Sequence, residues 1–171
     1  MKNADLFDNS THMIEQAKKN LLQWSSKTRF FEVDNRDINT IIEQYDIFIE
    51  GWSFGHLVVE EKTNKDYWID RLINDSVRIT KDKIIFIETM GTNVEKPNAP
   101  GELLRHFYSR LRHYGFNESV IQTNYLFDNY KEAARIMGGF FGDKMRNEIE
   151  NSRSKEIKEY TGIWILDKKK T

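Results

Sequence analysis

The stretch IIFIETMGTNVEKPNAPGELLRHFYSRLRHYGF, residues 84–116, decides how the chain is read. It opens with a run of β-branched and aromatic residues, which signals a strand. An irregular loop follows and holds both prolines of the chain, Pro97 and Pro100. Beyond it, Leu103, Leu104, Phe107, Leu111 and Tyr114 recur at the period of one helix face. The spacing predicts a helix over 100–114, closed by Gly115 in the usual position after a helix. Arg105, His106, Arg110, Arg112 and His113 fill much of its other side. The first turn of such a helix offers free backbone N–H groups and a positive dipole end, both suited to phosphate. Gly101 would allow close backbone approach there, and Lys96 would add charge.

Working outward, SVIQTNYL at 119–126 reads as the next strand and 130–141 as a helix that ends near Gly138 and Gly139. Residues 143–160 fit a charged helix or a strand and loop, and TGIWILD reads as a final strand. Upstream, residues 10–25 read as a helix and RFFEV at 29–33 as a short strand. Asp34 or Asn35 caps a predicted helix carrying Ile38, Ile41, Ile42 and Tyr45 at i, i+3, i+4, i+7. DIFIEGW and HLVVEE read as strands around a Ser-Phe-Gly turn, and 65–73 as a helix. SVRIT and KIIFIETM read as a hairpin through Lys81-Asp82. The fold class expected is α/β (α+β): a mixed, largely antiparallel central sheet flanked by helices in three layers. Residues 1–171 are expected to form one domain, with an N-terminal helix in 1–28 as an accessory element.

Composition narrows the chemistry. The chain has no cysteine, so disulfides, thiolate metal sites and cysteine nucleophiles are excluded. Its net charge of −1 gives no global field for nucleic acid or membrane, so any basic patch is local. No apolar run is long enough to span a bilayer, and MKNADLFDNS lacks the pattern of a signal peptide. A cytoplasmic location is the default expectation. The abundance of Lys, Asn and Ile is compatible with an AT-rich genome such as a phage's. The four histidines, His12, His56, His106 and His113, form no metal motif, and no metal is expected. GWSFG at 51–55 reads as an aromatic turn between strands, and no G-x-S-x-G elbow supports a serine nucleophile.

The order of elements from 84 to 141 resembles the GNAT superfamily of N-acetyltransferases. IIFIETMG stands where that family has its central strand, and EKPNAPGELL where it has its pyrophosphate loop and following helix. SVIQTNYL and NYKEAARIMGGFF stand for the next strand and helix, and FEVDNRDINTIIEQY is similar to the first strand and helix. The resemblance implies acyl transfer from acetyl-CoA to an amine on a small molecule or protein. It implies cofactor contacts from Met90, Gly91, Thr92, Asn93, Lys96, Asn98, Ala99, Gly101, Glu102, Asn124 and Asn129. It makes Glu88 the base for the amine, and Tyr125 or Tyr130 the acid for the leaving thiolate. Pro100 departs from the family's loop by removing one N–H donor. The alternative is a non-catalytic binding protein on a similar scaffold, acting on a protein or nucleic acid. HFYSRLRHY interleaves aromatics with arginines and would be its nucleic-acid surface.

Overall fold

A computed structural model describes residues 3–169. The chain opens with strand β1 (Ala4–Asp8), helix α1 (Thr11–Asn20), a 3-10 turn and strand β2 (Thr28–Glu32). Ser10 caps α1, its hydroxyl accepting the Met13 N–H. The segment expected to supply an N-terminal helix thus also carries a strand, Ala4–Asp8, ahead of α1. A second 3-10 turn, Asn35–Thr40, stands where an α-helix was expected, and Asp34 caps it. Then come β3 (Tyr45–Gly51), α2 (Phe54–Glu60), α3 (Lys65–Ile79) and the long β4 (Thr80–Thr92).

Two expected strands are helices. HLVVEE lies mostly in α2, where Phe54, Leu57 and Val58 share one buried face at i, i+3, i+4. SVRIT runs into the end of α3, whose buried residues Ile69, Leu72, Ile73, Ser76 and Ile79 keep helical spacing throughout. The Ser76 hydroxyl donates to Leu72 O at 2.7 Å and the Thr80 hydroxyl to Ser76 O at 2.7 Å. Residues poor in intrinsic helix propensity thus satisfy their hydroxyls inside the helix. No hairpin forms at Lys81-Asp82, because α3 passes directly into β4.

The second half holds α4 (Glu102–His113), β5 (Asn117–Gln122), β6 (Tyr125–Leu126), α5 (Tyr130–Phe141), α6 (Asp143–Ser152), β7 (Glu156–Ile157) and β8 (Glu159–Asp167). The four-stranded sheet has the order β3-β4-β8-β5. β3 runs parallel to β4, while β8 lies between β4 and β5 and is antiparallel to both. β1 and β2 form a separate parallel pair. The result is the expected mixed α/β architecture, a central sheet flanked by helices. α2, α3 and α4 cover one face, burying Ile84 and Phe86 of β4 and Trp164 of β8 among Phe54, Ile73, Phe107 and Leu111. Phe86 meets Phe54 at 5.3 Å and Phe116 at 5.1 Å between ring centroids. α5 and α6 pack on one another around Met137 and Ile149 as a smaller core.

This topology overturns the acetyltransferase resemblance. That reading needs a splay between adjacent strands near Gly91 and Asn124, open for a cofactor. Here β8 fills the place, with Gly162 paired to Glu88 on one side and Val120 on the other.

Candidate functional site

β1 and β2 run parallel, as do β3, β4 and β5; Tyr45 bonds Asp5 at the starts of β3 and β1, and Asn9 and Trp52 line one cleft beyond their ends, so these carboxyl ends share one edge. β1 leads to β2 in one lateral direction, and β3 leads to β4 in the other. The strand order reverses between β1 and β3, which is where open α/β sheets bind ligands. A cleft of about 260 Å³ lies there, lined by Phe7, Asp8 and Asn9 after β1, Val33 to Arg36 after β2, and Trp52, Ser53, His56, Leu57 and Glu60.

Local structure sets each of its polar groups. Asp8 ends β1 and accepts the Ser10 N–H at 2.8 Å through one oxygen, which fixes the turn into α1. Asp34 accepts the Arg36 N–H at 2.8 Å and the Asn9 side-chain amide at 3.3 Å. Burial raises the Asp34 pKa, but those donors and the Arg36 guanidinium outweigh it and hold the carboxyl below its usual value. Arg36 also bonds Glu60 at 3.2 Å and Glu61 at 3.0 Å, tying the β2 turn to the end of α2. Trp52 holds a left-handed backbone at φ 55°, costly for a bulky side chain, and leaves its indole half exposed at the rim.

Behind the cleft two buried carboxyls hold the start of α2. Glu50 Oε1 accepts the Ser53 N–H at 2.6 Å and the Phe54 N–H at 2.9 Å, and Glu88 Oε1 accepts the Gly55 N–H at 2.7 Å. Burial raises Glu50 to about 7, against the pull of those backbone donors. Burial and then the Glu50 charge raise Glu88 well above the usual range. Glu50 Oε2 is buried without a hydrogen-bond partner, and the two raised carboxyls favour the protonated form there. Gly55 is required by this pairing: a Cβ there would sit 2.8 Å from a Glu88 oxygen and 3.0 Å from Leu104.

The residues expected from the sequence lie farther along the same edge, around β4 and β5. Glu88 is in the core rather than in reach of an amine, and its acetyl-transfer role lapses with that reaction. Gly91 turns at φ 112°, and Met90 O accepts the Asn98 N–H at 2.7 Å, folding the loop back on β4. The Asn93 N–H bonds Lys158 O, its amide bonds Glu148, and Thr92 pairs with Glu159. Lys96 lies in the exposed loop between them, and Ala99 is buried. Gly101 and Glu102 open α4, as the sequence predicts, with Gly101 at φ 89°. Asn124 bonds Glu156 and Glu159, and Asn129 caps α5. Tyr125 is part-exposed beside Phe127, and Tyr130 starts α5 away from it. On α4, Arg110 pairs with Asp70, Arg112 with Glu118 and His106 with Asp66.

The cleft residues escaped the sequence reading because each had a plausible local role. Asp8 sat in a polar, acidic N-terminal stretch given no element, Asp34 looked like a cap alone, and Trp52 and His56 stood beside a supposed turn. The available signal was spacing: an acidic residue ending a short apolar run just before an amphipathic helix, as in LFDNSTHMIEQA.

No protein-family model and no curated protein sequence matches the chain. Solved structures match it in fold. A protein of Anaeromyxobacter dehalogenans assigned as a type II methyltransferase is 11% identical with a TM-score of 0.58, covering 98% of this chain and 81% of its own. A Pyrococcus horikoshii protein assigned as an RNA methyltransferase is 14% identical with a TM-score of 0.52, covering 97% and 63%. The precorrin 8W decarboxylase of Methanobacterium thermoautotrophicum is 16% identical with a TM-score of 0.50, covering 96% and 69%. The chain thus spans less than two thirds of the Pyrococcus protein. The likeness is one of fold, shared with proteins assigned as methyltransferases and with a decarboxylase, and it overturns the acetyltransferase resemblance and with it acetyl-CoA.

Proposed function

We propose that the chain carries part of an S-adenosylmethionine-dependent methyltransferase and binds the nucleoside end of that cofactor in the cleft between β1 and β3. The observation that carries this reading is the placement of Asp8 and Asp34 at the ends of β1 and β2, beside the exposed Trp52 indole, at the reversal of strand order. In dinucleotide-binding sheets an acidic residue in such a position takes ribose hydroxyls. A carboxylate accepts both hydroxyls of a ribose, and a flat indole stacks on a base. When bound, S-adenosylmethionine supplies an electrophilic methyl group.

The chain's fit to that cofactor is uneven. Its donor set suits adenosine, but no G-x-G-x-x-G turn occurs anywhere in the sequence to let backbone approach the rest. The cleft's roughly 260 Å³ also falls short of the ~300–1,000 Å³ of whole-ligand sites. No methyl-transfer step is therefore assigned to residues of this chain. Nucleic acid is the acceptor class this reading carries, from the assignment of the Pyrococcus protein.

The test is a titration of the folded chain with adenosine and with S-adenosylhomocysteine, followed by backbone NMR. Both should bind one to one with similar affinity, shifting resonances of Asp8, Asp34 and Trp52. Absence of any shift at millimolar adenosine overturns the reading.

A further inference from the structure

One buried oxygen at the β4–β5 edge is left without a partner. Glu159 opens β8 there, between Thr92 of β4 and Thr123 after β5, and is only 3% exposed. Its Oε1 accepts the Thr89 hydroxyl at 3.0 Å, and its N–H donates to Asn124 Oδ1 at 3.2 Å. The Thr89 hydroxyl oxygen in turn accepts the Gly91 N–H at 3.1 Å. Thr123 and Thr161 satisfy each other, their hydroxyl oxygens 2.7 Å apart. Glu159 Oε2 is buried in the midst of these groups and bonds none of them. Burial raises the carboxyl above its usual range, against the Thr92 and Thr89 hydroxyls. Thr92 acts through proximity, without hydrogen-bonding geometry to Oε2.

Tyr125 supplies a second unused oxygen. The residue is 43% exposed, and its hydroxyl makes no hydrogen bond among the described residues. Burial and then the Glu159 charge raise its pKa, so the hydroxyl stands in the field of the carboxyl without bonding it. Two oxygens so placed are joined by a group that carries two donors.

The burial of Glu159 chooses that group. An ammonium ion would be taken out of water beside a carboxyl already pushed toward its neutral form, which is costly. A neutral amino group brings two N–H donors without that charge. Alkylamines are ammonium ions at pH 7, whereas the amino groups of adenine and cytosine are neutral. Acidic side chains read cytosine by accepting from its amino group, and a tyrosine ring offers a face for a base. We infer that the Glu159 carboxyl and the Tyr125 hydroxyl form a site for the amino group of an unpaired adenine or cytosine. The base is unpaired because Watson–Crick pairing occupies the same edge. The Tyr125 side chain, held by no hydrogen bond, turns aside to admit it. This site deepens the methyltransferase reading by naming the acceptor base, and rests on it for nucleic acid as the substrate. β8 lies two strands from β3, about 10 Å across the sheet, so the base has a place of its own beside the nucleoside cleft.

The test compares two twelve-nucleotide single strands, oligo-dC and oligo-dU, which differ only in the base edge. Cytosine presents an amino group where uracil presents a carbonyl. Fluorescence anisotropy with the 171-residue chain should show oligo-dC bound about tenfold more tightly, the scale of one base-edge contact. Glu159→Gln, whose amide serves either base, should bring the two affinities within twofold. Tyr125→Phe removes a hydroxyl that bonds nothing in the fold. It should leave the melting temperature within a few degrees and cut the preference at least threefold. Equal affinity for the two strands, no binding of either, or a preference untouched by both substitutions overturns the site. So does competition by methylammonium as effective as that by cytidine. Base preference without S-adenosylhomocysteine binding counts against the methyltransferase reading alone. S-adenosylhomocysteine binding without base preference counts against the acceptor site alone.

Discussion

Along one edge of the sheet, the β4–β5 end and the β1–β3 end are finished in opposite ways. At the β4–β5 end, Asn93, Asn98, Asn124 and Lys158 meet backbone or side-chain partners from the same chain. At the β1–β3 end, Asp34 and Glu60 are tied to Arg36, but Asp8, the Trp52 indole and His56 stand around open space. Polar residues in loops at a sheet edge are thus no guide to a site until their partners are counted. A group already bonded within the fold has little left to offer a ligand, whereas one facing a cleft keeps its full capacity.

The largest effect expected from breaking this contrast lies under the finished end. Trp164 is fully buried, its ring lies 4.4 Å from that of Tyr108, and its indole N–H donates to Glu118 at 3.2 Å. Trp164→Ala should cost about 3–5 kcal/mol by leaving a cavity beneath three helices. Chemical denaturation would measure it. A loss below about 1 kcal/mol would mean that the two ends do not differ in packing.

The next effect concerns the wall between the ends, where burial raises both Glu50 and Glu88. Glu50 is raised to about 7 in the folded chain from an ordinary 4.5. The folded state therefore holds a proton that the unfolded chain releases across that window. The pair's contribution is full below pH 4.5 and is lost as pH rises through 7. A shift of this size is worth at most roughly 3 kcal/mol. Denaturation midpoints should fall between pH 5 and 8, and Glu50→Gln should flatten that slope. Asp5 and Asp66, held low chiefly by Arg29 and His106, act in the opposite sense at acid pH.

A smaller effect tests the open end. Asp8→Ala removes a carboxylate that, among the described residues, bonds only the Ser10 N–H, so stability should change little. Nucleoside affinity should fall by about 1.5–3 kcal/mol, roughly ten- to a hundredfold, as for other hydrogen bonds to charged groups. Calorimetric titration of adenosine would show it, and unchanged affinity would remove Asp8 from the site.

The same contrast explains what could be read from the sequence. α4 and α5 were legible because their apolar residues repeat at 3.6 over twelve residues each, with a clear end at Gly115 and a clear cap at Asn129. β8 was legible as TGIWILD. α2 and the end of α3 were not, because Val58, Val59, Val77, Ile79 and Thr80 carry a strand-like local preference that burial overrides. Pairing was the deeper failure. Nothing in SVIQTNYL says that the last strand of the chain, rather than β4, lies beside it, yet that insertion alone separates one fold from the other. The cleft was illegible for the same reason, since Asp8, Asp34 and Trp52 meet only when β1, β2 and β3 are set in parallel.

The smallest effect sharpens the comparison from the finished end. The Asn129 side chain accepts the N–H groups of Lys131 and Glu132, both at 3.1 Å, and so caps α5. Asn129→Ala should cost about 1 kcal/mol of stability, the usual value of such a cap. Adenosine binding should be untouched, because the polar capacity of Asn129 is directed to its own helix rather than to a ligand. If the substitution instead weakened adenosine binding while stability held, the cofactor edge would extend to β5, and the distinction between the two ends would fail.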